Sequence, residues 1–501
     1  MKPGGSPKTR LFLGQTPFGG NEHHRILLAG EYTNPTDAGM VHGAYQEGIR
    51  AAEQCLNLLS LHEESTSEDK NLGRTVVVIG AGASGLACAK RLLREDLPFH
   101  LEVIVLEARD RIGGRVNTTV LSTNKSRKDE GGPDNAPIIE LGANWLQQGR
   151  RNPLYSEAIG LGLKLVETDF LAPKEFPRQR AVKPERVRMI MEEFSRRSNN
   201  LVGLYRPHSE RTNMHQGRDI NDEEDIPSLL PDHESDVSLE TVLRSWLEEL
   251  SEKSKNPSDS NDLNFTPEEI LHVIAREVCV DAGVPLSDLS SKYGMEPSVG
   301  EGDFWIVNGY RQVLEELALG VNVQLNSVVQ SIAWDPLTEK FVVEALEGTE
   351  ADQSCYDVPS RSCKKGNRCI LADHVVCTIP AAVLERGPND GGILFDPPMP
   401  SDHRKALRLL TTGWVEKVAL QFQERWWPKS TSGYIRAYGE KFGDVSEWLD
   451  CSDVYGVPVI SGLFSGPWLE DIWYNSEGKT RDNAEIAKKA TLALATSVIE
   501  T

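Results

Sequence analysis

No stretch of this 501-residue chain is apolar for long enough to cross a bilayer. The longest candidate, TVVVIGAGASGLACA, is interrupted by glycines and falls short of the roughly 20 residues a span needs. The first residues, MKPGGSPKTR, carry no apolar core of a secretory signal. Eight cysteines scattered over the length do not make a disulfide framework, so a reducing compartment and a cytoplasmic location are expected, with peroxisome and nucleus left open. Basic residues are scarce: Lys+Arg number 54 against 75 Asp+Glu, a formal net charge of −21. Such a field repels nucleic acid, so no nucleic-acid partner is expected, while a cationic small molecule is compatible with it. The main effect of the acidic loops is solubility. P-loop, nucleophile-elbow and metalloprotease patterns are missing as well. Cys355, Cys363 and Cys369 lack a paired CxxC spacing, so no metal site is expected.

What is present reads as several units. Residues 1–60 hold a strand-like RILLAG, a turn-rich EYTNPTDAG and a helix with Ala44, Ile49, Ala52, Leu56 and Leu59 near one face. Residues 61–74 read as an exposed linker. Residues 75–150 alternate strand, glycine turn, helix and strand. Residues 151–300 are mainly helical with acidic loops, 301–390 return to strands around a polar insertion, and 391–501 run from helix to strand to helix.

The strongest local signal is TVVVIGAGASGLACAKRLL. Thr75 to Ile79 is a β-branched run of the kind buried on both faces. Gly80, Gly82 and Gly85 then match GxGxxG: a tight turn, close approach of the backbone to a pyrophosphate, and close packing of helix on strand. At Ser84 the helix N-terminus offers free N–H groups to phosphate oxygens. A second strand, LEVIVLEA, ends at Glu107, 22 residues beyond Gly85, the place of an acid that grips ribose hydroxyls. Strand, helix, second strand and acid together point to a dinucleotide site in an α/β, Rossmann-like domain.

The following segment, EARDRIGGRV, resembles the second FAD fingerprint of the flavin amine oxidases, a group that includes polyamine oxidases, monoamine oxidases and lysine-specific histone demethylases. ELGANWLQ, WIVNGYRQVLEELA, NVQLNSVVQSI, ADHVVCTIPAAVL, ALRLLTTGWVEKVALQFQERWW and AGEYTNPTDAGMVHGAYQEGIRAAE resemble further segments of the same family. The resemblance implies a Rossmann-like FAD domain with an inserted α+β substrate domain. It implies cofactor contacts at Gly80, Gly82, Ser84, Gly85, Glu107, Arg109, Gly114 and Arg115. Further contacts fall on Gly142, Ala143, Asn144, Trp145, Val329, Pro380, Gly30, Glu31, Val41 and Ala44. The family's active-site lysine falls on Lys417, where a water held near the flavin N5 is linked to reoxidation by oxygen. Gln147 and Met40 occupy substrate-facing positions where polyamine oxidases often have an ionisable residue and a tyrosine. The implied reaction is hydride transfer from the carbon beside a neutral amine to flavin N5, giving an imine and then an aldehyde, with hydrogen peroxide from oxygen. No cysteine that could link FAD stands in the AGE segment, so the FAD is expected to be non-covalent.

One feature departs from the family. The AGE motif at residues 29–44 precedes the GxGxxG strand instead of following the lysine segment, and the stretch that joins the two is largely missing. A piece of a tandem array, a circular permutant or a wrongly assembled frame would each give this order; the linker-like residues 61–74 favour the tandem piece. In each case residues 1–60 are expected to dock in the family position on the same chain, beside a substrate domain that is truncated. A related FAD oxidoreductase with another substrate, or an inactive flavin-binding fragment, is the alternative.

Overall fold

The computed structural model describes residues 1–19, 25–63, 73–121, 138–168, 174–176, 182–198, 236–253, 265–295, 302–307, 309–347, 367–429, 433–438, 445–465, 467–476 and 478–499. The acidic loop at 221–235, the insertion at 122–137, and Cys355 and Cys363 lie outside the described residues.

The β-branched run forms the strand Arg74–Ile79 at the centre of a five-stranded parallel sheet. Across that sheet the order is Ile26–Leu28, His374–Cys377, Arg74–Ile79, Leu101–Leu106 and Asn322–Gln324. Val76, Val77, Val78, Val375, Val376 and Cys377 are each fully buried, as a sheet covered on both faces requires. The edge strand Ile26–Leu28 comes from the N-terminal segment and pairs in register with Val375–Cys377. The displaced segment therefore completes the sheet of its own chain.

Two helices stack on one face of this sheet. The helix Ala83–Leu92 follows the glycine turn, and the helix Val41–Glu63 lies against it. Their approach depends on missing side chains: a Cβ on Gly48 would lie 2.1 Å from the Ser84 carbonyl oxygen. Ala51, Ala52, Cys55, Leu56 and Leu59 share one core with Val76, Val78, Leu86 and Cys88. The buried face differs from the sequence reading, which included Ile49. Small residues win the contact because the backbones are close. The helix also runs to Glu63 and the next strand opens at Arg74, so the segment between them is shorter than the 61–74 linker read from polarity. The helix Pro7–Gln15, absent from the sequence reading, joins a second core with Phe18, Ile26 and Leu28 on the opposite face.

The rest of the molecule frames this core. A sheet of Asn367–Ala372, Lys340–Glu347, Ser327–Asp335 and Leu394–Asp396 packs below it. A second five-stranded sheet runs Val415–Gln421, Val459–Ser465, Val445–Asp450, Tyr434–Tyr438 and Lys174–Phe176. The helices Pro467–Trp473 and Asn483–Ile499 cover it through Leu469, Ile472, Ile486, Ala490 and Leu494. The helices Pro184–Arg197, Leu239–Lys253 and Pro267–Ile274 pack around Phe194, Trp246 and Ile274. Among the described residues no helix is long and apolar enough to cross a membrane. Cys369 is disulfide-bonded, which the scattered spacing did not suggest, while Cys55, Cys88, Cys279, Cys377 and Cys451 are free thiols.

Candidate active site

The glycine turn is held in the form the sequence demands. Gly80 has φ +104°, a value side chains resist, and a Cβ on Gly85 would stand 1.8 Å from the Gly80 carbonyl oxygen. Thr378, on the neighbouring strand's exit, donates its hydroxyl to the Ile79 carbonyl at 2.8 Å and locks the turn from below. The second fingerprint folds over the first: Gly113 N–H donates to the Ala81 carbonyl at 2.8 Å, and a Cβ on Gly114 would be 3.5 Å from the Gly82 Cα. Beside Gly82 the position of a Cβ is open for 4 Å, and the Ser84 hydroxyl is buried without a partner. An open notch, an orphaned hydroxyl and a helix N-terminus form a fitting cradle for the diphosphate of FAD.

Glu107 ends its strand as expected and is buried, with its carboxylate accepting Ala81 N–H at 2.8 Å and Arg109 N–H at 3.0 Å. Arg109 donates to the Gly114 carbonyl at 3.1 Å. Asn326 N–H reaches the Arg109 carbonyl at 2.9 Å and Ser327 N–H the Glu107 carbonyl at 2.8 Å. These bonds set the strand that carries Val329 beside the acid. Arg111, from the same EARDRIGGRV segment, clamps the loop by donating to the carbonyls of Ile112, Gly114 and Val116, each at 3.1 Å.

A cavity of about 410 Å³ opens between this cradle and the helical unit. Glu31, Arg115 and Pro380, three positions drawn from separate motifs, line it together with Glu277, Met295 and Val415. Arg115 donates to Glu31 at 2.8 Å across the opening, and the other Glu31 oxygen accepts Gly39 N–H at 2.8 Å. Gly30 turns the chain ahead of Glu31 with φ +155°. Val41 opens its helix, with Ala44 one turn in. Glu277 had no signal in the sequence. It sits on a π-helical turn, Ala275–Cys279, where one extra residue bulges the helix.

Lys417 meets the ELGANW segment. Its strand neighbour Val415 lines the cavity, and alternation puts both on the same face. The ammonium donates to the Glu140 carbonyl at 3.2 Å, to the Gly142 carbonyl and to the Asn144 side-chain oxygen, 5.7 Å from the centre of the Trp145 ring. A Cβ on Gly142 would lie 1.9 Å from the Arg115 carbonyl, and Ala143 N–H donates to that carbonyl at 3.2 Å. The lysine therefore grips a segment that itself rests on the second fingerprint. Burial pushes the Lys417 amine down to about 8, against the opposing pull of Glu140. Three acceptors on residues 140–144 thus converge on the ammonium.

Met40 and Gln147 stand apart from the cavity lining, and a polar network lies beside Gln147. Buried His42 approaches Asp37 at 3.3 Å and Asn152 at 3.3 Å, and Asn152 donates to the Gln147 carbonyl at 2.9 Å. Gln148, in the left-handed region at φ 65°, donates its side-chain amide to Asp37 and its N–H to Asp303 at 3.1 Å. Burial pushes Asp37 up, but bonds from His42, Thr36 and Gln148 outweigh it and leave the carboxyl below its usual range. Only the tertiary arrangement identifies this network, because its members lie over a hundred positions apart in sequence. Among the described residues no group of His, Cys, Asp and Glu is set to hold a metal.

Comparison with known proteins agrees with this site. The family described as flavin containing amine oxidoreductase matches residues 7–56 and 83–498. Lysine-specific histone demethylase 1 homolog 3 of Oryza sativa subsp. japonica is 25% identical over 408 residues, covering 81% of this chain and 42% of that protein. Polyamine oxidase 2 of Arabidopsis thaliana is 25% identical over 430 residues, covering 80% and 69%. Lysine-specific histone demethylase 2 of Homo sapiens is 25% identical over 387 residues, covering 72% and 36%. The chain thus spans less than half the length of the demethylases it matches. A match over most of its residues, on a parallel sheet with the glycine cradle in place, establishes that the chain belongs to the flavin-containing amine oxidoreductase family, whose cofactor is FAD.

Proposed function

We propose that this chain is an FAD-dependent oxidase of the C–N bond of a small alkylamine or polyamine, with the FAD held non-covalently. The observation that carries the reading is the convergence of Glu31, Arg115, Pro380 and the Lys417 strand on one cavity beside the glycine cradle. The backbone of residues 80–85, the Ser84 hydroxyl, Arg109 and Arg115 would hold the diphosphate, Glu107 the ribose and the Val329 backbone the adenine. The start of the helix at Val41, together with Gly30, Glu31, Ala44, Pro380 and Gly142 to Trp145, would face the ring end. When bound, FAD would supply the acceptor for a hydride from the carbon beside the amine nitrogen, and oxygen would take the two electrons on.

This chain's own residues do the rest. Met295, Val278 and Val415 give the cavity an apolar wall that favours the uncharged amine, while Glu31 and Glu277 carboxylates attract its protonated form from water. Arg115 aims Glu31 by a direct bond. The Lys417 amine, brought to about 8, holds a proton at neutral pH and yields it in mildly basic solution.

The test is visible absorbance of the purified chain, then anaerobic addition of spermine, N-acetylated spermine, benzylamine and a methylated-lysine peptide. Bleaching by a small amine supports the reading. Bleaching by the peptide alone would move the substrate toward that of the demethylase relatives. A flavin spectrum that none of them bleaches would leave an inactive flavin-binding protein.

A further inference from the structure

Glu140 lies directly behind the lysine clasp and is given no role by the reading above. It ends the strand Ile138–Glu140 and is only 4% exposed. One carboxylate oxygen accepts both the Thr118 hydroxyl at 2.7 Å and Tyr310 N–H at 2.6 Å. The other oxygen is buried with no partner. The carbonyl of the same residue receives the Lys417 ammonium at 3.2 Å. A buried carboxylate with one bare oxygen is costly unless a cation stands near it. The ammonium on its own main chain is that cation.

We propose that Glu140 is the positioning residue of Lys417: its buried charge keeps the lysine as an ammonium clasped on residues 140–144, and so ties the substrate sheet to the flavin half. The proposal rests on the reading of Lys417 as part of the active site. The other titratable groups facing the lysine leave this task to Glu140. The Cys451 thiol, at the end of Val445–Asp450, is pushed up by burial and stays uncharged at neutral pH. The Tyr455 phenol on the next short helix is raised in the same way. Trp145 offers only a ring. Burial pulls Lys417 down, and Glu140 heads the groups that oppose it.

Glu140→Gln isolates the charge. The amide oxygen still accepts from Thr118 and Tyr310, and only the bare oxygen changes. The measurement is the pH titration of the Lys417 Cε resonance in the FAD-loaded full chain with ¹³Cε-labelled lysine, assigned with Lys417→Arg. Wild type titrates near 8. In Glu140→Gln the acid dissociation constant rises about tenfold, one pKa unit. The pH profile of flavin reoxidation moves by the same amount. A Glu140→Gln midpoint that coincides with wild type overturns the proposal. If that variant fails to fold, Glu140→Asp withdraws the carboxylate and must lower the midpoint in the same direction; no change there overturns it equally. A chain that oxidises no amine yet shows the displaced titration would sink the oxidase reading and leave this inference standing.

Discussion

Single atoms decide the cofactor turn. An alanine at Gly85 places a Cβ 1.8 Å from the Gly80 oxygen, inside any tolerable contact, so the helix must move off the strand. Gly85→Ala should cost about 2–3 kcal/mol and abolish bound flavin, read as urea midpoint and absorbance ratio. Lys417 makes a prediction with a definite sign. Its folded value, about 8, lies below the ordinary 10.5, so between these values the unfolded chain binds more protons and stability rises with pH. Below about 8 the cost of burying the charge is complete. Wild type should therefore gain stability relative to Lys417→Met between pH 7.5 and pH 10, measured by urea unfolding at both values. A pH-independent gap between the two proteins would show that the lysine is not depressed. At this scale the sequence was informative wherever a residue type has one physical use: glycines without room for a Cβ, an acid at a strand end. It was silent on Glu140, Gln148 and Glu277, whose roles come from what lies beside them.

At the scale of elements, the helix Val41–Glu63 is the piece that makes the chain whole. Gly48 lets it touch the Ser84 backbone, and Arg91 bridges to Glu53 at 2.6 Å on the rim. Its first turns are pinned to the AGE motif by Glu47, which accepts the Thr33 hydroxyl at 2.7 Å and Arg50 at 2.6 Å. Arg50 in turn donates to the Leu28 carbonyl at 2.7 Å and the Gly14 carbonyl at 2.6 Å. Removing Glu47 leaves the half-buried Arg50 guanidinium without its carboxylate. Glu47→Ala should cost about 2 kcal/mol and lower FAD occupancy, whereas the exposed Glu53→Ala should be within about 0.5 kcal/mol of wild type. Apolar periodicity announced this helix, but its contact face followed backbone proximity. The extra helix Pro7–Gln15 was illegible because its apolar residues are few and it is held by Phe18 and the sheet beyond it.

For the whole molecule, two properties can be tested together. If packing rather than the covalent link holds the N-terminal segment, a protease site placed between residues 63 and 73 should, once cut, leave both fragments co-eluting with FAD. Deleting residues 1–60 should remove the edge strand at Ile26–Leu28 and with it the flavin; unchanged flavin content would refute docking on the same chain. The net charge of −21 should draw cationic amines, so kcat/KM for spermine should fall roughly 3–10-fold from low to high ionic strength.

The sequence by itself determined the chemistry of contact: the glycine spacing, the strand-end acid, the arginine-flanked second turn and the lysine in an apolar strand, since each depends on neighbours a few residues away. Tertiary structure decided what those parts do together. Parallel pairing of Leu27 with Val376 returns the out-of-order motif to the sheet, because backbone hydrogen bonding is indifferent to chain order. The clasp of Lys417 on Glu140, Gly142 and Asn144, and the cavity shared by Glu31 and Glu277, join residues hundreds of positions apart. No local pattern encodes such contacts; burial and the need to satisfy every buried polar group do.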